Sequence, residues 1–256
     1  MDIKGKVVVV TGGGSGIGAA MARRFMREGA RAVVVSDRDG DAATAVARQI
    51  GPGALPIRAD VADEAETLAL IAPTEAEFGP IDLFCANAGI TARGGVDVPD
   101  ADWQRVWDVN VMAHVHAARA LVPRMLARGS GHLLFTASAA GLLSQFDAPY
   151  AVTKHAAVAL AEWLAIEHGG TLGISCLCPG GVDTPLFRDE SAQRQALMGE
   201  HLLGPDDVAE AVVRGLAAGE FLILPHAEVR ELWRRKSADP ERWLRGMRRL
   251  HQRAGS

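Results

Sequence analysis

Tyrosine occurs once in these 256 residues, as Tyr150, so any chemistry that needs a phenol has a single candidate. Cysteine is scarce as well. Cys85, Cys176 and Cys178 are too few and too poorly spaced for a disulfide framework. Cys176 and Cys178 lie two apart in an apolar run, fall on one face of a strand, and read as small buried hydrophobes. With no further ligands at suitable spacing, no metal site is expected. No apolar run is long enough to span a bilayer. Val7–Val10 is too short for a signal-peptide core and has no small-residue cleavage site behind it, so a cytoplasmic location without a membrane partner is expected. An excess of positive charge is also missing. Lys and Arg number 27 against 31 Asp and Glu, a net of −4, which gives nucleic acid no field to follow. Repeats and low-complexity linkers are absent.

What is present is a chain with 48% hydrophobic and 23% charged residues, the balance of a globular protein. Val7–Val10 is a continuous β-branched run, as in a strand buried on both faces of a parallel sheet. Strands are further expected at 32–35, 56–59, 81–86, 131–138, 173–177 and 221–224. Helices are expected at 19–28, 42–50, 64–78 (interrupted by Pro73), 102–127 as one long helix, 148–167 and 205–218. Residues 185–204 have no regular period. Alternating strands and helices of these lengths predict an α/β fold: one Rossmann-type, doubly wound parallel sheet of about seven strands with helices on both faces. Residues 1–225 form the dinucleotide-binding and catalytic domain, and 226–256 a basic helical extension.

Between the first strand and first helix lies Thr11-Gly12-Gly13-Gly14-Ser15-Gly16-Ile17-Gly18. Gly12 permits a sharp turn, Gly16 lets backbone approach a pyrophosphate, and Gly18 lets helix pack on strand. The helix N-terminus then offers its N–H groups to the anion. Asp37 ends the second strand at the spacing of a ribose-binding acid. A carboxylate there accepts from both adenosine hydroxyls and repels a 2′-phosphate. Arg38 follows it, but the glycine loop has no cation to help, so NAD is favoured over NADP.

Farther on come Asp60-Val61, Asn87-Ala88-Gly89, Asn110, Ser138, Tyr150-x-x-x-Lys154 and Pro179-Gly180-Gly181-Val182-Asp183-Thr184. In this order, over about residues 5–225, the chain resembles the short-chain dehydrogenase/reductase family. The resemblance implies a catalytic set of Asn110, Ser138, Tyr150 and Lys154. Tyr150 and Lys154, four apart, share a helical face. A phenol has a pKa near 10, too high for a base at neutral pH, and a nearby ammonium and an oxidised nicotinamide would lower it. Tyr150 is then the acid/base, Ser138 positions the substrate oxygen, and Lys154 holds the nicotinamide ribose. Asn110 holds a water that relays protons from Lys154. The resemblance also places Gly12, Ser15, Gly16, Ile17, Gly18, Asp37, Arg38, Asp60, Val61, Asn87, Ala88, Gly89, Pro179, Gly180, Val182 and Thr184 at the cofactor. No metal or base role is expected for His114, His116 or His155.

The reaction implied is interconversion of a hydrophobic secondary alcohol, such as a hydroxysteroid, and its ketone. Leu142, Leu143, Phe146, Leu186, Phe187, Leu197, Met198, Leu202 and Leu203 make the substrate rim apolar, while Gln145 and Asp147 are candidates to select one polar group. An NADPH-dependent carbonyl reductase and a non-catalytic NAD-sensing protein are the alternatives. The family's common Asp-Gly-Gly tail, which helps form tetramers, is missing. Residues 226–256 instead carry nine Lys/Arg against four Asp/Glu, a net of +5. Trp243, Leu244, Met247 and Leu250 form one apolar face there. It packs on its own domain or a neighbouring subunit, lies on a membrane surface, or covers the substrate. A homodimer through the two long helices, or a homotetramer, is the expected assembly.

Overall fold

The computed structural model describes residues 1–144, 147–198 and 201–253. Seven strands follow from the apolar runs: β1 (Val7–Thr11), β2 (Ala32–Asp37), β3 (Ala54–Arg58), β4 (Leu83–Ala86), β5 (His132–Thr136), β6 (Gly173–Leu177) and β7 (Leu222–Ile223). They form one parallel sheet in the order β3-β2-β1-β4-β5-β6-β7. The side-chain period of two splits the buried residues between its faces. Val7 and Val9 join Phe84, Leu133 and Phe135 on one side, whereas Val8 and Val10 join Leu83, Cys85 and Leu134 on the other. The second face is covered by α1 (Gly16–Arg27), α2 (Gly40–Ile50) and α10 (Pro205–Ala218), and the first by α3 (Glu64–Phe78), α5 (Ala113–Ala127) and α7 (Ala148–His168).

Several boundaries differ from expectation for identifiable reasons. β3 runs Ala54–Arg58 rather than 56–59, which puts Pro56 mid-strand, as an edge strand allows because the missing N–H costs no ladder bond. α3 continues through Pro73 rather than breaking. Residues 185–204 contain two short helices, α8 (Pro185–Arg188) and α9 (Ala192–Met198), and α8 is capped by the Thr184 hydroxyl, which accepts from Phe187 N–H. The single helix expected at 102–127 is three pieces: α4 (Asp100–Trp107), a π turn (Asp108–Met112) and α5. The extension folds as α11 (Ala227–Ala238) and α12 (Pro240–Arg253). On α12, Trp243 packs against the main core whereas Leu244 is exposed, so the four apolar residues do not form one covered face.

Candidate active site

The strands are laid down outward on one side from β1 to β3 and on the other from β4 to β7, and the crevice at this switch between β1 and β4 opens at the carboxyl ends of the parallel strands. Thr11 stitches it together. Its hydroxyl donates to Cys85 O (3.2 Å) and accepts from Asn87 N–H (3.0 Å) and Ala88 N–H (3.2 Å). The Asn87 amide donates to Thr11 O (2.9 Å) and accepts from the Thr136 hydroxyl (3.1 Å), tying β1, β4 and β5. A cleft of about 290 Å³ follows this seam. Every residue expected at the cofactor lines it except Gly180 and Val182, which face a second cavity.

The loop suits a dinucleotide. Gly12 adopts φ +63°, and a Cβ on Gly18 would stand 2.1 Å from Gly12 O, so a side chain at Gly18 would push helix from strand. Ser15 caps α1 with extended backbone and no side-chain bond, and no acid sits in the first turn, which leaves those amides for an anion. Asp37 Oδ2 accepts from Gly14 N–H (2.9 Å) and Oδ1 from Asp39 N–H (3.0 Å), fixing the carboxylate at the far end of the cleft beside Arg38.

Lys154, 2% exposed, donates from Nζ to Thr136 O at 2.8 Å, 5.6 Å from the centre of the Tyr150 ring. Burial lowers its pKa to about 8 against the opposing pull of Cys178 and Cys176. Those thiols stand 3.8 Å apart, both buried. Burial pushes the Tyr150 phenol above its ordinary value, opposed by its hydrogen bond to Ser138 and reinforced by Cys178 and Glu190. The depression expected at Tyr150 is therefore not a property of the protein alone. Asn110 is buried behind Gly89. Its Oδ1 accepts from Ile90 N–H (2.9 Å), and its Nδ2 donates to Ile90 O (2.9 Å) and Thr153 Oγ1 (3.1 Å). That side chain is committed to the Ile90 backbone and to the Thr153 hydroxyl, and the latter bond ties the π turn to α7.

The second cavity, also about 290 Å³, brings Ser138, Tyr150, Leu143, Leu186 and Phe187 together, while Leu142 goes to the core. Gln145 and Phe146 lie outside the described residues, as do the side chains of Leu197 and Met198. Asp147 lines this cavity, but its carboxylate is already paired, which leaves it less free to select a polar group than its sequence position suggested. Arg194 Nη1 lies 2.9 Å from both its oxygens, and Oδ1 also accepts from Gly94 N–H (3.0 Å). Arg194 reaches Glu190 Oε2 as well, at 3.4 Å. No local pattern signals a pair 47 residues apart. α11 supplies the far wall through Glu228, Val229 and Leu232. It is fastened at two points. His226 accepts at Nδ1 from Gly180 N–H (3.0 Å) and donates from Nε2 to Gly181 O (2.9 Å), and Lys236 donates to Leu142 O (2.6 Å). Lys236 also lies 3.5 Å from His155 Nε2. His114 and His116 are buried in α5, where the His114 ring lies 5.4 Å from that of Phe135.

Comparison with known proteins agrees with this geometry. The short chain dehydrogenase family model matches residues 6–195. The chain is 38% identical over 237 residues to 1-deoxy-11-beta-hydroxypentalenate dehydrogenase of Streptomyces avermitilis, covering 89% of this chain and 87% of that protein. It is 36% identical over 192 residues to 2-(R)-hydroxypropyl-CoM dehydrogenase of Xanthobacter autotrophicus, covering 71% and 76%. The solved structure of a short chain dehydrogenase/reductase from Burkholderia phymatum in complex with NAD superposes with a TM-score of 0.87 at 31% identity, covering 94% of this chain and 96% of that one. The chain belongs to the short-chain dehydrogenase/reductase family, nicotinamide-dependent oxidoreductases acting on CH–OH groups.

Proposed function

We propose that this enzyme interconverts an apolar secondary alcohol and its ketone with NAD(H), and that Tyr150 is its acid/base. The observation that carries this reading is that Tyr150 borders both cavities, with Lys154 on the cofactor side and Ser138 on the apolar side. A bound nicotinamide supplies the hydride acceptor or donor and, when oxidised, a positive charge. Ser138 donates a hydrogen bond to the substrate oxygen and holds it at the Tyr150 hydroxyl. In oxidation, the Tyr150 phenolate takes the alcohol proton as the carbon releases its hydride; in reduction, the phenol returns it. Burial alone favours the neutral phenol, so the Lys154 charge is needed to stabilise the phenolate. With a pKa near 8, Lys154 loses and regains a proton close to neutral pH. Onward transfer runs past Asn110. Because that side chain is already bonded, the backbone of the π turn takes the water-holding part.

Asp37 supports NAD: its carboxylate is anchored to Gly14 and Asp39 and stands where the adenosine hydroxyls of a dinucleotide belong. That the Burkholderia phymatum relative was solved in complex with NAD supports the same reading. Leu143, Leu186, Phe187, Val229 and Leu232 support an apolar substrate, and the Streptomyces avermitilis relative is named for a hydroxy compound. The exposed Trp163 and Ile166 of α7 support a homodimer through α4, α5 and α7. A substrate panel run with both cofactors tests the reading, with Tyr150→Phe alongside. We expect a higher kcat/KM with NADH than with NADPH. The variant should lose roughly 10²-fold or more in kcat while its NADH affinity stays within about twofold. If it retains more than about a tenth of wild-type kcat, Tyr150 is not the acid/base.

A further inference from the structure

We propose that the substrate cavity selects by charge, taking apolar alcohols and ketones whose far end is a cationic amine, accepting neutral ones less well, and rejecting carboxylates and sulfonates. This rests on the alcohol–ketone reading above and extends it to the distal part of the substrate. Three carboxylates line the cavity, Asp147, Glu190 and Glu228, and no lysine or arginine does among the described residues. The nearest guanidinium, Arg194, stands behind Asp147 with both its oxygens at 2.9 Å. Glu190 receives only the longer contact from the same nitrogen, 3.4 Å. Glu228 has no ion pair or side-chain hydrogen bond among the described residues, and it is half-buried beside Val229 and Leu232. Three negative groups thus share one positive group.

The histidines do not reverse that balance. His226 uses Nδ1 to accept from Gly180 N–H, which a doubly protonated ring could not do, so it is neutral in this arrangement. His201 is on the exposed edge. The sequence adds no cation at Gln145, Phe146, Gly199 or Glu200. A half-buried carboxylate among leucine, valine and phenylalanine side chains is poorly hydrated, so a positive charge brought there is attracted and a negative one repelled more strongly than in water. The charge also reaches the chemistry, since the Glu190 carboxylate acts on the Tyr150 phenol. Helix position alone would explain Glu228, an acid in the first turn of α11. Glu190 precedes α9 and pairs with Arg194 four residues on, but at 3.4 Å and with a guanidinium that Asp147 already engages at 2.9 Å.

Two measurements test the proposal together. In the first, one ketone skeleton is reduced with NADH in three forms, ending in a carboxylate, a methyl amide or a primary amine. We expect wild-type kcat/KM to rank amine above amide above carboxylate, with about tenfold or more between the ends of the series. In a Glu190→Gln/Glu228→Gln variant, the ratio between the amine and the carboxylate should shrink to within about threefold, whatever the change in absolute rate. In the second, cyclohexylmethylamine and cyclohexanecarboxylate are titrated calorimetrically into the NADH-loaded enzyme. The amine should bind and the carboxylate should bind at least about tenfold more weakly. If the carboxylate is processed and bound as well as the amine, or if the span survives in the double variant, charge selection is wrong. If no ketone turns over, the alcohol–ketone reading fails while the titration still decides the charge preference.

Discussion

At the scale of single residues, burial rather than charge pairing sets the tone of this site. Lys154 and Tyr150 are both displaced toward their neutral forms. The same is true behind them. Burial and the Lys154 ammonium lower the His114 pKa to about 3 from 6.5, and His132 falls to about 4. When the folded-state pKa of a base lies below its unfolded value, the unfolded chain binds the proton first. The stability His114 confers by staying neutral is therefore complete above pH 6.5 and is lost as pH falls from 6.5 toward 3. By pH 5 the loss attributable to His114 is about 2 kcal/mol. A His114→Leu variant should unfold at the same or higher urea concentration at pH 7, because it replaces a fully buried imidazole packed against Phe135 with an apolar side chain. It should lose about 2 kcal/mol less than wild type between pH 7 and pH 5. Parallel losses in the two proteins would show that His114 is not the group involved. The residues legible in the sequence were those whose role is local: the glycine turn, Asp37 closing a strand, Tyr150 and Lys154 one turn apart. Thr11, Arg194 and His226 act through partners 45 or more residues away, and nothing in their neighbourhood announces it.

Elements were legible where one period held throughout and less so where two segments cooperate. β1 read correctly because all five residues are buried and four are valine. The 102–127 stretch read as one helix because a π turn keeps helical composition; an i→i−5 bond such as that from Ala113 N–H to Asp108 O marks the extra residue. α11 was expected as part of a basic helical extension, with cover of the substrate as one of three alternatives. Its sequence is basic and weakly apolar, and its role as a cavity wall depends on where His226 docks. That docking gives a prediction at this scale. His226→Ala leaves a buried N–H and C=O without partners and frees the wall from the Gly180–Gly181 turn. The carbonyl-substrate KM should rise about tenfold, with a smaller change in kcat and in the NADH KM. Glutamine carries one acceptor and one donor in a planar group, so His226→Gln should recover most of the loss. An unchanged KM in the alanine variant, or a glutamine variant as impaired as alanine, would remove His226 from this role.

At the scale of the whole molecule, two large apolar side chains three residues apart on α7 lie open. Trp163 and Ile166 are 57% and 85% exposed on the outer face of α7, and exposure on that scale marks a contact surface. If α4, α5 and α7 form the dimer interface, Trp163→Glu combined with Ile166→Glu should halve the mass seen by sedimentation equilibrium. A wild-type protein that sediments as a monomer would end the dimer proposal. The strand order carries one more consequence, for biosynthesis. β1 and β4 are hydrogen-bonded neighbours at the middle of the sheet, yet some 70 residues of chain separate them. A nascent chain that has produced β1, β2 and β3 can pair those three strands early. It then presents the bare edge of β1, four valines and a threonine, until β4 leaves the ribosome. The strip on which the cofactor cleft is later built is thus the adhesive edge of the half-made protein, and the interval between synthesis of β3 and β4 is when it is most open to mispairing.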